Sequence, residues 1–250
     1  MKTSRQPPTI IAKCALCLGS EPLVNSHVIP KFFYKPLRDE KGRFERYPLK
    51  KGVKPLQDGL KEPLLCGQCE QHLANNFETY SIKVLNNPVG LPCFIMENTS
   101  NIPFLRIGIA DVDYKKFRLF QLSILWRASV STLPDFSEVN LGKHEEILRK
   151  MIRDVDSGSP DLYPVWMLPI KHEGDVLETL VIPPMSMKLY GYQAYRFTFG
   201  GMVWIYFVSS HKVPQMVRDL SISPSGLITL VPMNLKDIDF IMDIVESHIR

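Results

Sequence analysis

Residues 64–73 read LLCGQCEQHL, and the pair Cys66 and Cys69 in this stretch has a counterpart far upstream in CALC, Cys14 and Cys17. Two cysteines three positions apart let one tight turn offer two thiolates to a tetrahedral ion, so two such turns make a complete four-cysteine zinc site. A redox motif would account for one pair and not for two. The 48 residues between Cys17 and Cys66 exceed a compact zinc ribbon, so the ion closes a long loop. Four thiolates leave no position open for water, and the expected role of this zinc is structural.

The segments that the staple joins carry the chemistry. Shortly after the first pair stands His27, in NSHVIPKFF (25–33), and directly after the second comes EQHLANNFETY (70–80), a helical stretch with Glu70, His72 and Glu78. Zinc at the base of both segments brings His27 close to the start of that helix. His27 alone reads as a core histidine, a metal ligand or a base, and four thiolates remove the need for it at the zinc.

Composition bounds the rest. A chain of 250 residues, 45% hydrophobic and 22% charged, has enough apolar surface for a globular core. The apolar runs fall far short of a membrane-spanning helix, and MKTSRQPPTIIAK lacks an export signal's apolar centre. The expectation is a soluble, cytoplasmic protein. Five cysteines, two pairs of them closely spaced, suit metal better than a secreted disulfide framework, and Cys93 reads as a small buried hydrophobe. Residues 1–70 hold 13 Lys and Arg against 7 Asp and Glu, an excess of +6 where the remainder of the chain has −2. A local basic excess suits a phosphate-bearing partner.

That excess peaks between the motifs. KFFYKPLRDEKGRFERYPLKKGVKPLQDGLK (31–61) has ten Lys or Arg against four acids, with five aromatics interleaved. Cations neutralise phosphates and aromatic rings stack on bases, the sequence-independent ways of holding nucleic acid. Lys31, Lys35, Arg38, Arg43, Arg46, Lys50 and Lys51 are the candidate contacts, with Arg43 and Arg46 foremost because guanidinium matches phosphate bidentately. A solvated basic loop is the plain alternative.

Beyond residue 100 the texture changes. FLRIGIADV (104–112) alternates as a strand, and 114–130 and 142–155 carry apolar residues at helical spacing. Strand-like runs follow at VLETLVIP, YQAYRFTFGGMVWIYFVSS and GLITLVP, with FGG (199–201) as a turn, and a helix capped by Asn234 is expected over 235–249. Trp126, Arg127 and Trp204 read as core aromatics with a charged neighbour. The fold class is α+β: a flexible 1–12, a zinc-stapled unit over 13–97, and a mixed α+β domain over 104–250.

The order of a CxxC pair, SHVIPK, a long basic insert and LLCGQCE resembles the zinc-stapled HNH endonucleases of the ββα-metal fold, and more closely a bacterial subfamily of HNH-like proteins. The resemblance spans residues 14–80. It implies two strands and a helix gripping a divalent cation (Mg²⁺, Mn²⁺ or Ni²⁺) beside a scissile phosphate, with His27 as general base. Glu70 falls where the family places its helical cation ligand. Many members have Asp where this chain has Ser26, and Asp58, His72 or Glu78 are the candidates to make up the ligand set. The implied activity is hydrolysis of nucleic acid, DNA favoured, with the C-terminal domain choosing the target or binding a protein partner or a second copy. By analogy alone, such fusions serve in bacterial defence against phage and plasmids. The alternatives are a zinc-stapled binding module without catalysis and an RNA-directed nuclease.

Overall fold

The structure, a computed structural model, describes residues 10–38, 58–86, 91–96 and 105–238. Its first part runs β1 (Ile10–Lys13), β2 (Ser20–His27), β3 (Lys61–Cys66), α1 (Gly67–Leu73) and α2 (Thr79–Asn86). The three strands form one antiparallel sheet in the order β1-β2-β3. The first cysteine pair makes the turn between β1 and β2: Cys14 N–H donates to Gly19 O at 2.8 Å and Leu18 N–H returns to Cys14 O at 2.9 Å. β1 begins inside the stretch expected as a flexible arm. Between α1 and α2 the helix widens into a π turn, Ala74–Glu78. The Thr79 hydroxyl donates to Ala74 O at 2.8 Å, five residues back, and so supports the widened turn.

The second part runs β4 (Cys93–Met96), β5 (Arg106–Ile109), α3 (Tyr114–Val130), α4 (Lys143–Arg153), β6 (Val165–His172), β7 (Asp175–Val176), β8 (Ile182–Leu189), β9 (Tyr192–Phe199), β10 (Met202–Val208), α5 (Gln215–Asp219), β11 (Ile228–Leu230) and β12 (Met233–Asn234). These strands form one mixed sheet in the order β4-β5-β11-β6-β10-β9-β8, with β7 and β12 also paired to β6. The architecture is α+β, as the sequence pattern leads one to expect. Cys93 departs from its reading: it lies exposed on the terminal strand β4, not buried. The expected C-terminal helix begins as a short 3₁₀ turn at Leu235–Asp237, and 239–250 lie outside the described residues.

α3 joins the two parts. Asp113 caps it, accepting from Lys116 N at 3.0 Å, and every residue from Phe117 to Ala128 is buried. A helix apolar on one face only would expose the other, so α3 is covered all round. One continuous core runs from Cys14, Val28, Phe33, Leu65 and Phe77 through Phe120 and Leu125 to Phe199 and Trp204. Phe33, which follows the His-x-x-Pro stretch, meets Phe199 at 4.7 Å between ring centres. A Cβ at Gly200 would stand 2.3 Å from the Phe33 ring, and Gly200 has φ +59, so this turn between β9 and β10 needs glycine twice over.

Polar ties fix the same junction. Arg149 on α4 donates to the Leu16 carbonyl, inside the first cysteine turn, at 2.6 Å. Glu62 on β3, buried, accepts from Thr132 N at 3.0 Å and from the hydroxyls of Ser131 and Thr132 beyond the end of α3. The cysteine-bearing unit is thereby seated on the second part through its core and its backbone.

Candidate active site and metal centre

Cys14 follows β1, Cys17 ends its turn, Cys66 ends β3 and Cys69 lies in the first turn of α1. One ligand atom from each lies within 4.8 Å of all the others, and the Cys17 and Cys66 sulfurs are 4.0 Å apart. Three of these cysteines are buried and Cys17 is exposed. Burial works to raise the Cys14 thiol, but N–H groups of Cys17, Cys66 and Leu16 aimed at the sulfur outweigh it and bring it down to about 7. Cys69 moves the other way, raised first by burial and then by the neighbouring sulfurs. Crowded thiolates repel one another unless a cation stands among them. The cluster could bind a zinc-like metal ion.

His27 closes β2. An irregularity in the β2–β3 register between Val24 and Asn25 precedes the pairs Ser26 with Glu62 and His27 with Lys61. Ser26 is fully buried, while the His27 side chain keeps 14% exposure. His27 Nε2 is 3.2 Å from Asp58 Oδ1. An ionised carboxylate only accepts, so Nε2 carries the proton and Nδ1 is left as the basic nitrogen. Burial lowers the His27 pKa from its ordinary value, and Asp58 offsets part of that.

Asp58 itself is surrounded by cations. Its Oδ2 accepts from Lys61 Nζ at 2.6 Å, and Oδ1 lies 3.4 Å from Lys31 Nζ and 3.7 Å from Arg38 Nη2. The Lys61 hydrogen bond, with further help from His27, holds the Asp58 carboxyl well below the usual carboxylate range. A Cβ at Gly59 would lie 2.2 Å from the Tyr34 ring, so only glycine lets the chain beside Asp58 approach this closely.

Behind β2 lies a second, more buried set. Glu70 is half-buried at the end of the first turn of α1, and burial raises its pKa against the pull of the Ser26 hydroxyl and Arg127. Glu78, at the end of the π turn, pairs with Arg127: Oε1 to Nη1 is 2.8 Å. Arg127 comes from α3, is only 1% exposed, and also donates from Nη1 to the His27 carbonyl at 2.9 Å.

The sequence-predicted residues thus divide. Ser26, His27, Glu70 and Glu78 gather around the end of β2, and Asp58, Lys31 and Arg38 gather beside the His27 ring. His72 belongs to neither. Its Nε2 donates to Ile152 O on α4 at 3.0 Å and its Nδ1 faces the Asn76 amide in the π turn at 3.2 Å, so both nitrogens are engaged in packing. Lys35 is exposed next to the 3₁₀ turn Lys31–Tyr34, and Arg43, Arg46, Lys50 and Lys51 lie outside the described residues. Among the described residues, the four cysteines are the only group of three or more His, Cys, Asp or Glu placed to share an ion. Three of the four residues named for a catalytic cation are engaged elsewhere: Asp58 is ringed by protein cations, Glu78 is paired with Arg127, and His72 is turned away, which leaves Glu70.

Two residues of this site escape a reading of the sequence. Lys61 is one cation among ten in a basic insert. Arg127 hides beside Trp126, although a signal is available: a charge four positions after Ser123 and three after Ile124 shares their buried face.

No family model, no curated protein and no solved structure matches this chain. No helix among the described residues is long and apolar enough to cross a membrane.

Proposed function

We propose that this protein hydrolyses phosphodiester bonds of nucleic acid with His27 as general base. The observation that carries the reading is the His27–Asp58 pair, a neutral imidazole with its tautomer fixed, partly exposed and bordered by Lys31, Arg38 and Lys61. Nδ1 takes the proton of an attacking water, the water oxygen bonds to phosphorus, and the bond to the leaving oxygen breaks. Lys31, Arg38 and Lys61, which border the pair, offer positive charge to the phosphate as charge builds on it, while Asp58 stays on His27 and keeps Nδ1 the basic nitrogen. DNA is the favoured substrate, by resemblance to the HNH endonucleases. The basic insert supplies further phosphate contacts.

The four-cysteine cluster is the zinc staple of this reading. Tetrahedral zinc with sulfur at roughly 2.3 Å sets the sulfurs about 3.8 Å apart, close to the spacing of Cys17 and Cys66. Zinc supplies structure here and takes no part in the reaction.

One observation favours a second reading, a zinc-stapled module that binds nucleic acid without cutting it: Arg127 pairs with Glu78, where the family resemblance leads one to expect a catalytic cation. Purified protein is incubated with plasmid DNA and with RNA, with Mg²⁺, Mn²⁺, Ni²⁺ or no added divalent ion, beside His27→Ala. Cleavage by the wild type that His27→Ala abolishes supports hydrolysis. Retention of nucleic acid without cleavage under every condition supports the binding module instead.

A further inference from the structure

We infer that Arg127 is the cation behind His27, a guanidinium delivered by the second part of the chain to Glu78 and to the His27 backbone, with Glu70 near enough to interact with both charges. The inference concerns what balances the carboxylates and does not rest on the hydrolytic reading.

Position comes first. Arg127 stands in the last turn of α3, where the helix dipole favours positive charge, and its arm is fixed inside its own helix: Nε donates to Ser123 O at 3.2 Å and Nη2 lies 3.4 Å from Ser123 Oγ. Nη1 donates to the His27 carbonyl at 2.9 Å and lies 2.8 Å from Glu78 Oε1, an ion pair. Glu70 Oε2 and Glu78 Oε1 both lack a hydrogen-bond donor among the described residues. One guanidinium therefore pairs with Glu78 and binds the His27 backbone, and it is the cation nearest to these carboxylates whose position the structure gives.

Burial makes the arrangement exclusive. An ion pair on the surface exchanges freely with water and salt, but a guanidinium 1% exposed keeps its partners because nothing else can solvate it. A divalent cation entering between Glu70 and Glu78 would meet that charge at close range with little water to screen it. The same residue ties the site to the fold, since α3 lies in the core that runs through the whole chain. A change in the seating of α3 would move the His27 carbonyl and the charge balance of the pocket together. Arg127 is on this account a positioning residue for His27 and the occupant of the carboxylate pocket.

The test is Mn²⁺ binding, followed by electron paramagnetic resonance on protein whose zinc content has been measured. Wild type, Glu70→Gln and Arg127→Met are compared, with near-ultraviolet circular dichroism to establish that each is folded. Wild type is expected to show no saturable Mn²⁺ site that Glu70→Gln removes, and Arg127→Met is expected to gain one that Glu70→Gln removes in the double variant. A Glu70-dependent Mn²⁺ site already present in the wild type overturns the inference, even if Arg127→Met fails to fold. A folded Arg127→Met that gains no Mn²⁺ site overturns it as well. None of these outcomes depends on cleavage, so the hydrolytic reading can fail separately.

Discussion

His27 stands between two carboxylate sets that are neutralised in opposite ways. On its ring side Asp58, 26% exposed, is paired with Lys31, Arg38 and Lys61, which reach in from the surface. On its backbone side Glu78 is held by Arg127, which is buried to 1% exposure. The ring-side ion pairs lie nearer to solvent and are the more strongly screened by salt. The backbone-side pair has one partner inside the core, where a lost contact is costly. His27 joins the two, its ring to the first and its carbonyl to the second.

The strongest way to break that distinction is to remove what holds both halves together. Cys66→Ser is expected to abolish zinc content and cooperative unfolding of the N-terminal unit, since binding of a structural zinc contributes on the order of 10 kcal/mol to small metal-stapled units. Metal analysis and thermal unfolding check this. Next in size is Arg127→Met, expected to cost about 2–3 kcal/mol by leaving the partly buried Glu78 carboxylate unpaired and the His27 carbonyl without its donor. Denaturant unfolding measures it, and Glu78→Gln added to Arg127→Met should recover part of the loss.

Smaller effects sharpen the exposed half. Burial places the His27 pKa below its ordinary 6.5 in the folded chain. Between the folded value and 6.5 the unfolded chain holds a proton that the folded chain does not, so stability rises with pH across that window and levels off above it. Thermal unfolding from about pH 5 to about pH 8 should show this slope in the wild type and lose it in His27→Gln. Smallest is Lys31→Met, expected to change stability by less than about 1 kcal/mol because the pair is exposed. The same change should weaken nucleic-acid binding and lower its salt dependence by about one unit of slope, measured by titration at several salt concentrations.

The cysteine cluster and the α+β class were legible because each rests on spacing. CxxC fixes two ligands in one turn, and alternation or helical period marks strands and helices along most of 105–230. His27 with Asp58 is partly legible: both residues stand out in the sequence, but the convergence of Lys31, Arg38 and Lys61 on Asp58 is set by how the chain folds and leaves no pattern. The π turn at Ala74–Glu78 shifts Glu78 relative to Glu70 from where a regular helix would put it, and no simple pattern in ANNFE announces it. Arg127 was illegible in role because its partners are 49 and 100 positions away, as is true of most residues that tie one unit to another. α3 offered only a few residues at helical spacing, yet it is buried all round because the cysteine-bearing unit covers its remaining face.

The central claim is that His27 removes a proton during phosphodiester cleavage. It is tested most directly by incubating plasmid DNA with purified wild type and His27→Ala, both with zinc content and unfolding profile verified. The account predicts cleavage by the wild type and a loss of about a hundredfold or more in His27→Ala, the ordinary contribution of a general base. Equal cleavage by both proteins would contradict it.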